Sequence, residues 1–227
     1  MKFAVIGLGY FGSALVRELV EDGQEVIAID SHASNLRGIQ DLSDLAAEAD
    51  GTDIEALRQL GVGEVDTAIV AIGEDFEASL MITAHCQKLG VKEIYTRVIN
   101  EVHDHILGLM QVAGKIRAEK LAATYFTRQL TNEAVMRYFG LDSQHGIVEL
   151  ELPEKFDGAT IADTELRKKY SLNIVTIRRP NPKEYSFDKE DEGFSVLGTP
   201  GPETKLKTGD RLVVFGKLKD IDRFCAS

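Results

Sequence analysis

The sequence contains little cysteine, no tryptophan and no long apolar run. Cys86 and Cys225 are the two cysteines among 227 residues, so no disulfide framework is expected and a reducing compartment is the default. No apolar stretch approaches the roughly 20 residues that cross a bilayer, and the N-terminus shows no signal-peptide pattern. We therefore expect a cytoplasmic protein with no direct membrane insertion. Cys86 falls on the apolar face of a predicted helix, which favours a small core residue over a reactive thiol.

Basic residues are fewer than acidic residues. The chain has 26 basic and 37 acidic residues, which gives a net charge of -11. Nucleic-acid binding depends on Lys and Arg side chains that displace counterions from phosphates, so this balance disfavours DNA and RNA as partners. The apolar fraction of 44% is ordinary for a globular protein, and the length fits two modest domains.

Strand and helix patterns alternate along the first half of the chain. Apolar runs predict strands over 3–6, 25–30, 67–72 and 93–98, and a third strand in chain order ends before Asp50. Helical spacing predicts helices from the glycine turn to Gly23, over 35–45, after Asp53, over 78–89, and over 102–110. The last of these places Val102, Ile106, Leu109 and Met110 on one apolar face. Such alternation indicates a Rossmann-like, doubly wound parallel sheet.

The pattern changes in the second half. A helix is predicted over 119–139, and its four aromatic residues either pack on its own domain or cross to a partner subunit. The polar segment 140–146 is predicted to be a linker. Alternation at 148–152 and apolar runs at 173–177 and 212–215 predict strands of a smaller α+β domain. We therefore expect one domain over 1–139, ending in a crossover helix, and a second over 147–227.

A glycine motif follows the first predicted strand. Gly7, Gly9 and Gly12 form a G-x-G-x-x-G turn between that strand and the first helix. The first glycine permits a tight turn, the second lets a phosphate approach the backbone, and the third lets helix and strand pack closely. The free N–H groups of the helix N-terminus then favour a phosphate. The alternative is a glycine turn kept only for packing.

An acidic residue ends the second predicted strand. Asp30 lies 21 residues after Gly9, where a carboxylate accepts hydrogen bonds from both ribose hydroxyls and repels a 2′-phosphate. This position favours an adenosine nucleotide or NAD over NADP.

Further candidates lie where other strands end. Gly73 follows the fourth strand, beside the crevice where the chain direction reverses. Gly51 and Thr52 follow the third strand, and Asp53 is equally well explained as a helix N-cap. Arg97, near the end of the fifth strand, either reaches a bound phosphate or forms a surface salt bridge.

No catalytic group accompanies the glycine motif. Tyr185 and Lys189 have the Y-x-x-x-K spacing of short-chain dehydrogenases, but they fall in the charged stretch 180–193, which predicts a loop. His103 and His105 point to different faces of a helix, so we interpret them as solvated helix residues rather than metal ligands. There is no Walker lysine, C-x-x-C, H-E-x-x-H or G-x-S-x-G motif. A nucleotide site without reaction machinery indicates sensing rather than catalysis.

Several segments resemble one family. The run FAVIGLGYFGSALVRELVEDGQEVIAID is similar to the opening of the RCK (KTN) domain of potassium-uptake regulators of the KtrA and TrkA type. VDTAIVAIGEDFEASL resembles the fourth strand and following turn of that family, KIRAEKL the approach to its crossover helix, and LKTGDRLVVFG the end of its TrkA-C domain. A single KtrA-like unit is the most similar arrangement, since TrkA-like proteins usually carry the domain pair twice.

The resemblance implies a cytoplasmic ring of subunits, dimers assembling into an octamer, bound beneath a membrane potassium channel subunit. ATP and ADP would stabilise different ring shapes, and so open or close the pore. Glu119 matches a family position where a carboxylate helps to bind a divalent cation near the nucleotide, although an acid there also complements the helix dipole. In the second domain, the resemblance implies contacts of Ile161, Arg167 and Asn173 with cyclic di-AMP; the alternative for Arg167 is a solvated helix residue.

One position departs from the family. KtrA-like proteins usually carry Arg after the second glycine, whereas this chain has Tyr10. A phenol does not neutralise a γ-phosphate, so ADP, AMP or NAD(H) becomes an alternative resident ligand to ATP.

We therefore predict a non-enzymatic regulatory subunit that senses adenine nucleotides and gates potassium uptake. An NAD-dependent oxidoreductase and an NAD(H) redox sensor are the alternatives. The residues predicted to contact the nucleotide are Gly7, Gly9, Tyr10, Phe11, Gly12, Asp30, Ser31, Gly51, Thr52, Ala71, Gly73 and Arg97.

Overall fold

The computed structural model describes residues 1–182 and 193–226. It divides the chain into two compact units, Met1–Glu119 and Lys120–Ser227. The Tyr185–Lys189 pair lies outside the described residues. Among the helices of the described ranges, none is long and apolar enough to cross a membrane.

The first unit is built on a six-stranded parallel sheet. Its strands are β1 (Lys2–Ile6), β2 (Glu25–Asp30), β3 (Leu45–Glu48), β4 (Thr67–Val70), β5 (Glu93–Arg97) and β6 (Gly114–Ile116). Their spatial order is β3-β2-β1-β4-β5-β6, and every neighbouring pair is parallel. The connecting helices are α1 (Tyr10–Glu21), α2 (Ala33–Leu36), α3 (Ile54–Gln59), α4 (Phe76–Lys88) and α5 (Glu101–Leu109). The doubly wound Rossmann-like fold is confirmed.

Both faces of this sheet are covered. Alternate residues of β1 enter different cores: Ala4 and Ile6 pack with α3 and α4, whereas Val5 packs with α1 and α2. Strands buried on both faces are apolar at nearly every position, which is why the sequence shows continuous runs here rather than alternation. The strands after β1 are added first on one side of it, as β2 and β3, and then on the other side, from β4 onward. A crevice therefore opens at the carboxyl ends of β1 and β4, where ligands bind in such folds.

The second unit contains a five-stranded antiparallel sheet. Its strands are β7 (Val135–Gly140), β8 (His145–Glu151), β9 (Asn173–Pro180), β10 (Phe194–Val196) and β11 (Arg211–Lys217), in the order β10-β9-β11-β8-β7. The helix α6 (Ala118–Thr131) enters this unit, and α7 (Ile161–Thr164), α8 (Leu166–Tyr170) and α9 (Leu218–Cys225) follow. One sheet face carries the core, with Leu150, Leu212 and Phe224 fully buried.

The predicted helix over 119–139 is wrong beyond Thr131. Asn132 accepts a hydrogen bond from the Ala134 N–H at 3.2 Å, a local turn that competes with continued helix. Val135 is then buried in the core of the second unit as part of β7. The second compact unit begins at Lys120, so it includes this strand.

The segment 140–146 is not a linker between domains. Gly140 pairs with Gly146 across the β7–β8 hairpin, so these residues form a turn inside the second unit. The Asp142 carboxylate accepts the backbone N–H groups of Gln144 and His145 at 2.6 and 2.7 Å, which closes the turn. Polar residues between two apolar runs mark a hairpin turn and a linker equally well in sequence.

Two predictions in the first unit also need correction. The helix expected over 35–45 is reduced to the four residues of α2, because Gly38 takes a positive φ of 75° and the chain turns away. The apolar face expected on α5 is largely exposed, with Val102 63% and Leu109 71% accessible, whereas His103 and Leu107 are the buried residues.

Cys86 lies in the core of the first unit, as the sequence predicts. Its side chain is fully buried, and burial raises the pKa of the thiol to about 12. Because the thiolate is the reactive form, we expect Cys86 to resist a thiol reagent in the folded protein at pH 8. Mass spectrometry after labelling checks this. Unfolding in guanidinium should make Cys86 and Cys225 react alike, and rapid labelling of folded Cys86 would contradict the packing.

Candidate functional site

A cavity of about 820 Å³ lies at the carboxyl edge of the parallel sheet. This volume is in the range of small-molecule sites. It lies entirely within the first unit, so one continuous fold positions its walls. Eleven of the predicted contact residues line it: Gly7, Gly9, Tyr10, Phe11, Asp30, Ser31, Gly51, Thr52, Ala71, Gly73 and Arg97. Gly12 lies behind the wall, where it supports the turn.

The three glycines of the motif have different environments. Gly7 has a positive φ of 96°, which the tight turn after β1 requires, and its N–H donates to the Ile29 carbonyl oxygen at 2.8 Å. A Cβ on Gly12 would overlap the Gly7 carbonyl oxygen, so α1 can pack against β1 only with glycine there. A Cβ on Gly9 would meet no atom within 4 Å. The open side of Gly9 faces the cavity and leaves room for a ligand at the backbone.

The N-terminus of α1 receives no capping hydrogen bond from a side chain, and its first turn has no acidic residue. By contrast, Asp75 caps α4 by accepting from the Ala78 N–H, and Asn100 caps α5 by accepting from the His103 N–H, both at 2.9 Å. The first N–H groups of a helix carry partial positive charge and need acceptors. At α1 these groups remain available to an anion beside Gly9, which fits the phosphate of a nucleotide.

Asp30 connects the glycine turn to the end of β2. Its Oδ2 accepts from the Leu8 N–H at 2.6 Å, and its Oδ1 accepts from the His32 N–H at 2.8 Å and the Asn35 amide at 3.1 Å. A carboxylate offers about four acceptor positions. Three are used within the protein, so one is left for a donor from a ligand, and a second donor would have to displace the Asn35 side chain. Sequence reasoning missed Asn35, although its place just after Asp30 was a usable signal.

The loop after β3 forms another wall. The Thr52 hydroxyl and N–H both donate to Asp50 Oδ1, at 2.7 and 2.9 Å, and these hydrogen bonds lower the pKa of the Asp50 carboxyl. Asp50 is therefore a carboxylate at neutral pH and an acceptor for a ligand amino group. A Cβ on Gly51 would lie 2.8 Å from Ile82 Cδ1, so glycine lets this loop sit directly on the core. Asp53 caps α3, which confirms the capping interpretation.

Arg97 lies on the opposite wall, held by three contacts. Its guanidinium pairs with the Glu119 carboxylate and lies 5.4 Å from the centre of the Phe11 ring. It also packs against Gly73, on the side where another residue would carry its Cβ. A Cβ on Gly73 would come within 2.6 Å of Arg97 Nη1, so glycine makes room for the guanidinium. The Arg97 hydrogen bond holds the pKa of Glu119 below its usual range. The salt-bridge interpretation of Arg97 is confirmed, and because Arg97 also lines the cavity, its contact with a phosphate stays a prediction.

Tyr10 begins α1 with its side chain fully exposed at the cavity. Four carboxylates also line the cavity: Asp30, Asp50, Glu74 and Asp75. Glu74 and Asp75 were not among the predicted contact residues; their position directly after Gly73 was the available signal.

Glu119, the predicted metal ligand, and the histidines His103 and His105 do not line this cavity. In the ranges 1–182 and 193–226, no group of three His, Cys, Asp or Glu side chains could hold a metal ion. His103 is buried, so interpreting it as a solvated residue is wrong: its Nδ1 accepts from the Ile99 N–H at 3.1 Å, and burial lowers its pKa. His105 is exposed, as expected.

The second unit has a cavity of its own, of about 510 Å³. Ile161, Arg167 and Asn173, which the family resemblance assigned to cyclic di-AMP, all line it. Arg167 Nε donates to Asn173 Oδ1 at 2.8 Å, so the two polar side chains are already oriented by each other.

The fold and the cavity agree with a known family. The TrkA-N domain model matches residues 3–116, and the TrkA-C domain model matches residues 147–227. The chain belongs to the TrkA-N/TrkA-C family. It is 31% identical over 223 residues to Ktr system potassium uptake protein C of Bacillus subtilis (strain 168), covering 98% of this chain and 95% of that protein. It is 30% identical, with the same coverage, to Ktr system potassium uptake protein A of that organism.

Solved structures support the same fold for this TrkA-N/TrkA-C chain. The RCK domain of GsuK matches with a TM-score of 0.51 and 23% identity, over 99% of this chain and 46% of that one. The GsuK channel bound to NAD matches with a TM-score of 0.53 and 24% identity, over 99% of this chain and 38% of that one. The chain spans less than half of these GsuK chains, and at this identity the likeness concerns the fold alone.

The different roles of Gly9 and Gly12 give a paired prediction. Gly9→Ala should fold normally, because the added methyl group enters open space, but it should weaken nucleotide binding about tenfold by blocking phosphate approach. Gly12→Ala should lower the melting temperature, because its methyl group overlaps the Gly7 carbonyl. Calorimetric titration and thermal melting measure the two effects.

The matched control is Gly201→Ala, where a Cβ also meets no atom within 4 Å. It lies in the second unit and should change neither quantity. Unchanged nucleotide affinity in Gly9→Ala would contradict the placement of a phosphate at the turn.

Proposed function

We propose that this chain is a regulatory, nucleotide-binding subunit of a potassium uptake system. The observation that carries the proposal is one cavity in which open Gly9, the uncapped N-terminus of α1 and the carboxylate of Asp30 meet. Together they fit the phosphate and ribose of a nucleotide. The potassium role is supported by the Ktr proteins of Bacillus subtilis, which are named as potassium uptake proteins and align over nearly their whole length.

The ligand we propose is an adenine nucleotide, either ADP, ATP or NAD(H). Asp30 would accept a ribose hydroxyl, the N–H groups at the start of α1 would bind a phosphate, and Asp50 would accept from the adenine amino group. Arg97 would contribute a positive charge on the other wall. NAD(H) is supported further by the NAD-bound GsuK channel, whose fold this chain shares.

Regulation would follow from differential binding. A ligand shifts a conformational equilibrium only by the ratio of its affinities for the two states. In this chain the nucleotide would contact loops after β1, β2, β3 and β4 simultaneously, so their spacing would differ between the empty and the bound protein. We propose that this difference is transmitted to a membrane potassium channel subunit.

Assembly into a ring is supported by apolar side chains left exposed on several helices. On α4 and α5 these are Met81, Val102 and Leu109, and on α6 they are Leu121, Phe126 and Leu130. None of the fourteen residues of α6 is buried within this chain. Such helices suit contacts between subunits. We propose a homo-oligomer built from dimers, with an octamer as the family arrangement, peripheral to the cytoplasmic face of the membrane.

The cavity of the second unit supports a second ligand proposal. Arg167 and Asn173 line it beside the apolar Ile161, a combination that suits the phosphate and base of cyclic di-AMP. Arg167 would keep its hydrogen bond to Asn173 and turn its remaining N–H groups toward the phosphate.

Calorimetric titration of the purified chain with ADP, ATP, NAD⁺, NADH and cyclic di-AMP tests the proposal. We expect at least one adenine nucleotide or dinucleotide to bind, without conversion to product. Binding by none of them would contradict the sensor function. A substrate-dependent change of NADH absorbance would instead support the oxidoreductase alternative. Addition of Mg²⁺ to each titration shows whether a divalent cation takes part.

Asp30 should also select against a 2′-phosphate. We expect NADH to bind at least about tenfold more tightly than NADPH, because a carboxylate and a phosphate repel one another at that position. Asp30→Asn should reduce this preference, since it removes the charge and keeps an acceptor oxygen for the Leu8 N–H. Asp41→Asn, which removes an exposed carboxylate outside the cavity lining, should leave it unchanged. Equal affinities in the wild-type protein would contradict the ribose assignment.

A further inference from the structure

The walls of the nucleotide cavity carry a strongly unequal charge. Asp30, Asp50, Glu74 and Asp75 line it on the acidic side, and among the Lys and Arg residues only Arg97 lines it. The whole cavity lies in the range 1–182, all of which is described. A nucleotide bound in this cavity would therefore meet the α1 N-terminus and a single guanidinium, against four carboxylates.

Arg97 already has an acidic partner. Its guanidinium is paired with Glu119, which is 63% exposed and does not itself line the cavity. Phe11 and Gly73 fix the guanidinium in this position, as described above. The one Lys or Arg side chain that lines the cavity is thus paired with a carboxylate of the same unit.

We propose that Glu119 is a specificity-determining residue that competes with the terminal phosphate of a nucleotide for Arg97. The inference rests on the proposed nucleotide function and deepens it. While Glu119 holds Arg97, a third phosphate finds no unpaired cation, and Tyr10 at the start of α1 is a neutral side chain. The site then selects nucleotides with two phosphates, such as ADP or NAD(H), over the more highly charged ATP.

The ion pair between Arg97 and Glu119 leaves part of the guanidinium unsatisfied. Within the described residues, Arg97 Nε is buried without a hydrogen-bond partner, so Glu119 does not satisfy the whole guanidinium. An unsatisfied buried donor carries a free-energy cost that a better-placed acceptor relieves. A phosphate oxygen is such an acceptor, and it would compete with the Glu119 carboxylate for the same guanidinium. Exchange is therefore possible, with a penalty that increases the Kd of ligands needing Arg97.

This role for Glu119 makes a prediction opposite to that of a metal ligand. A carboxylate that holds a divalent cation beside the nucleotide strengthens binding, so its removal weakens ATP binding when Mg²⁺ is present. A carboxylate that competes for Arg97 weakens triphosphate binding, so its removal strengthens ATP binding without any metal. The two effects differ in sign, which makes one substitution decisive.

The experiment compares wild-type protein with Glu119→Gln by calorimetric titration with ADP, ATP and NADH, in EDTA and then in Mg²⁺. In EDTA, Glu119→Gln should bind ATP about tenfold more tightly than the wild type. This change corresponds to about one charge-assisted hydrogen bond gained between Arg97 and the terminal phosphate. ADP and NADH should change by less than about threefold, so the ratio of the ATP Kd to the ADP Kd should fall.

Two further variants isolate the cause. Glu93→Gln removes an exposed carboxylate at the opposite end of β5 from Arg97, so the same change of net charge should leave the ATP-to-ADP ratio unaltered. In an Arg97→Gln background, Glu119→Gln should have no effect on that ratio, because the group for which Glu119 competes is gone. Circular dichroism checks that each variant is folded.

Each other outcome overturns the inference. Unchanged or weaker ATP binding by Glu119→Gln in EDTA, with nucleotide binding intact in the wild type, refutes the competition alone. A loss confined to Mg²⁺ conditions refutes it in favour of a metal ligand. If the wild type and the variant bind none of the three ligands, the nucleotide function itself fails, and the competition fails with it.

Discussion

The site depends on one short hydrogen bond, from the Leu8 N–H to Asp30 Oδ2 at 2.6 Å. It joins the turn after β1 to the end of β2, and it is buried. With Leu8 held there, Gly9 is placed with its open side toward the cavity and α1 starts in the required direction. The same carboxylate holds the chain after β2 through the His32 N–H. Asp30 therefore stabilises the turn in the absence of any ligand.

The glycine turn and its acidic partner could be predicted because their chemistry is local. A strand, three glycines, a helix and an acid at the end of the next strand specify one geometry whatever surrounds them. The contact between Arg97 and Glu119 could not be predicted. The two residues lie 22 positions apart on different elements, and their approach depends on the missing side chain at Gly73. Sequence reasoning left Arg97 as either a phosphate contact or a surface salt bridge, and Glu119 as either a metal ligand or an acid that complements the helix dipole. The structure pairs the two residues with each other.

The errors in the second half have a common physical origin. The segment after Thr131 contains apolar and aromatic residues at spacings that both a helix and a strand can accommodate. Its structure is decided by a distant partner, since Val135 pairs with Leu150 across the hairpin and is buried there. Parallel strands covered on both faces give a stronger signal, because their apolar runs are continuous. The α5 error is similar: Val102 and Leu109 are apolar yet exposed, which suits a surface that another subunit covers.

If the proposed nucleotide binds there, the uncapped N-terminus of α1 would affect the lifetime of the protein in the cell. A ligand that binds only the folded state stabilises it by mass action, in proportion to the logarithm of its concentration. The N–H groups left for that ligand would be solvated in the empty protein, and the first unit would be correspondingly easier to unfold. Chains deprived of nucleotide would then be degraded faster by proteases than chains that carry it. The abundance of the protein would thus follow the nucleotide supply, independently of any conformational signal.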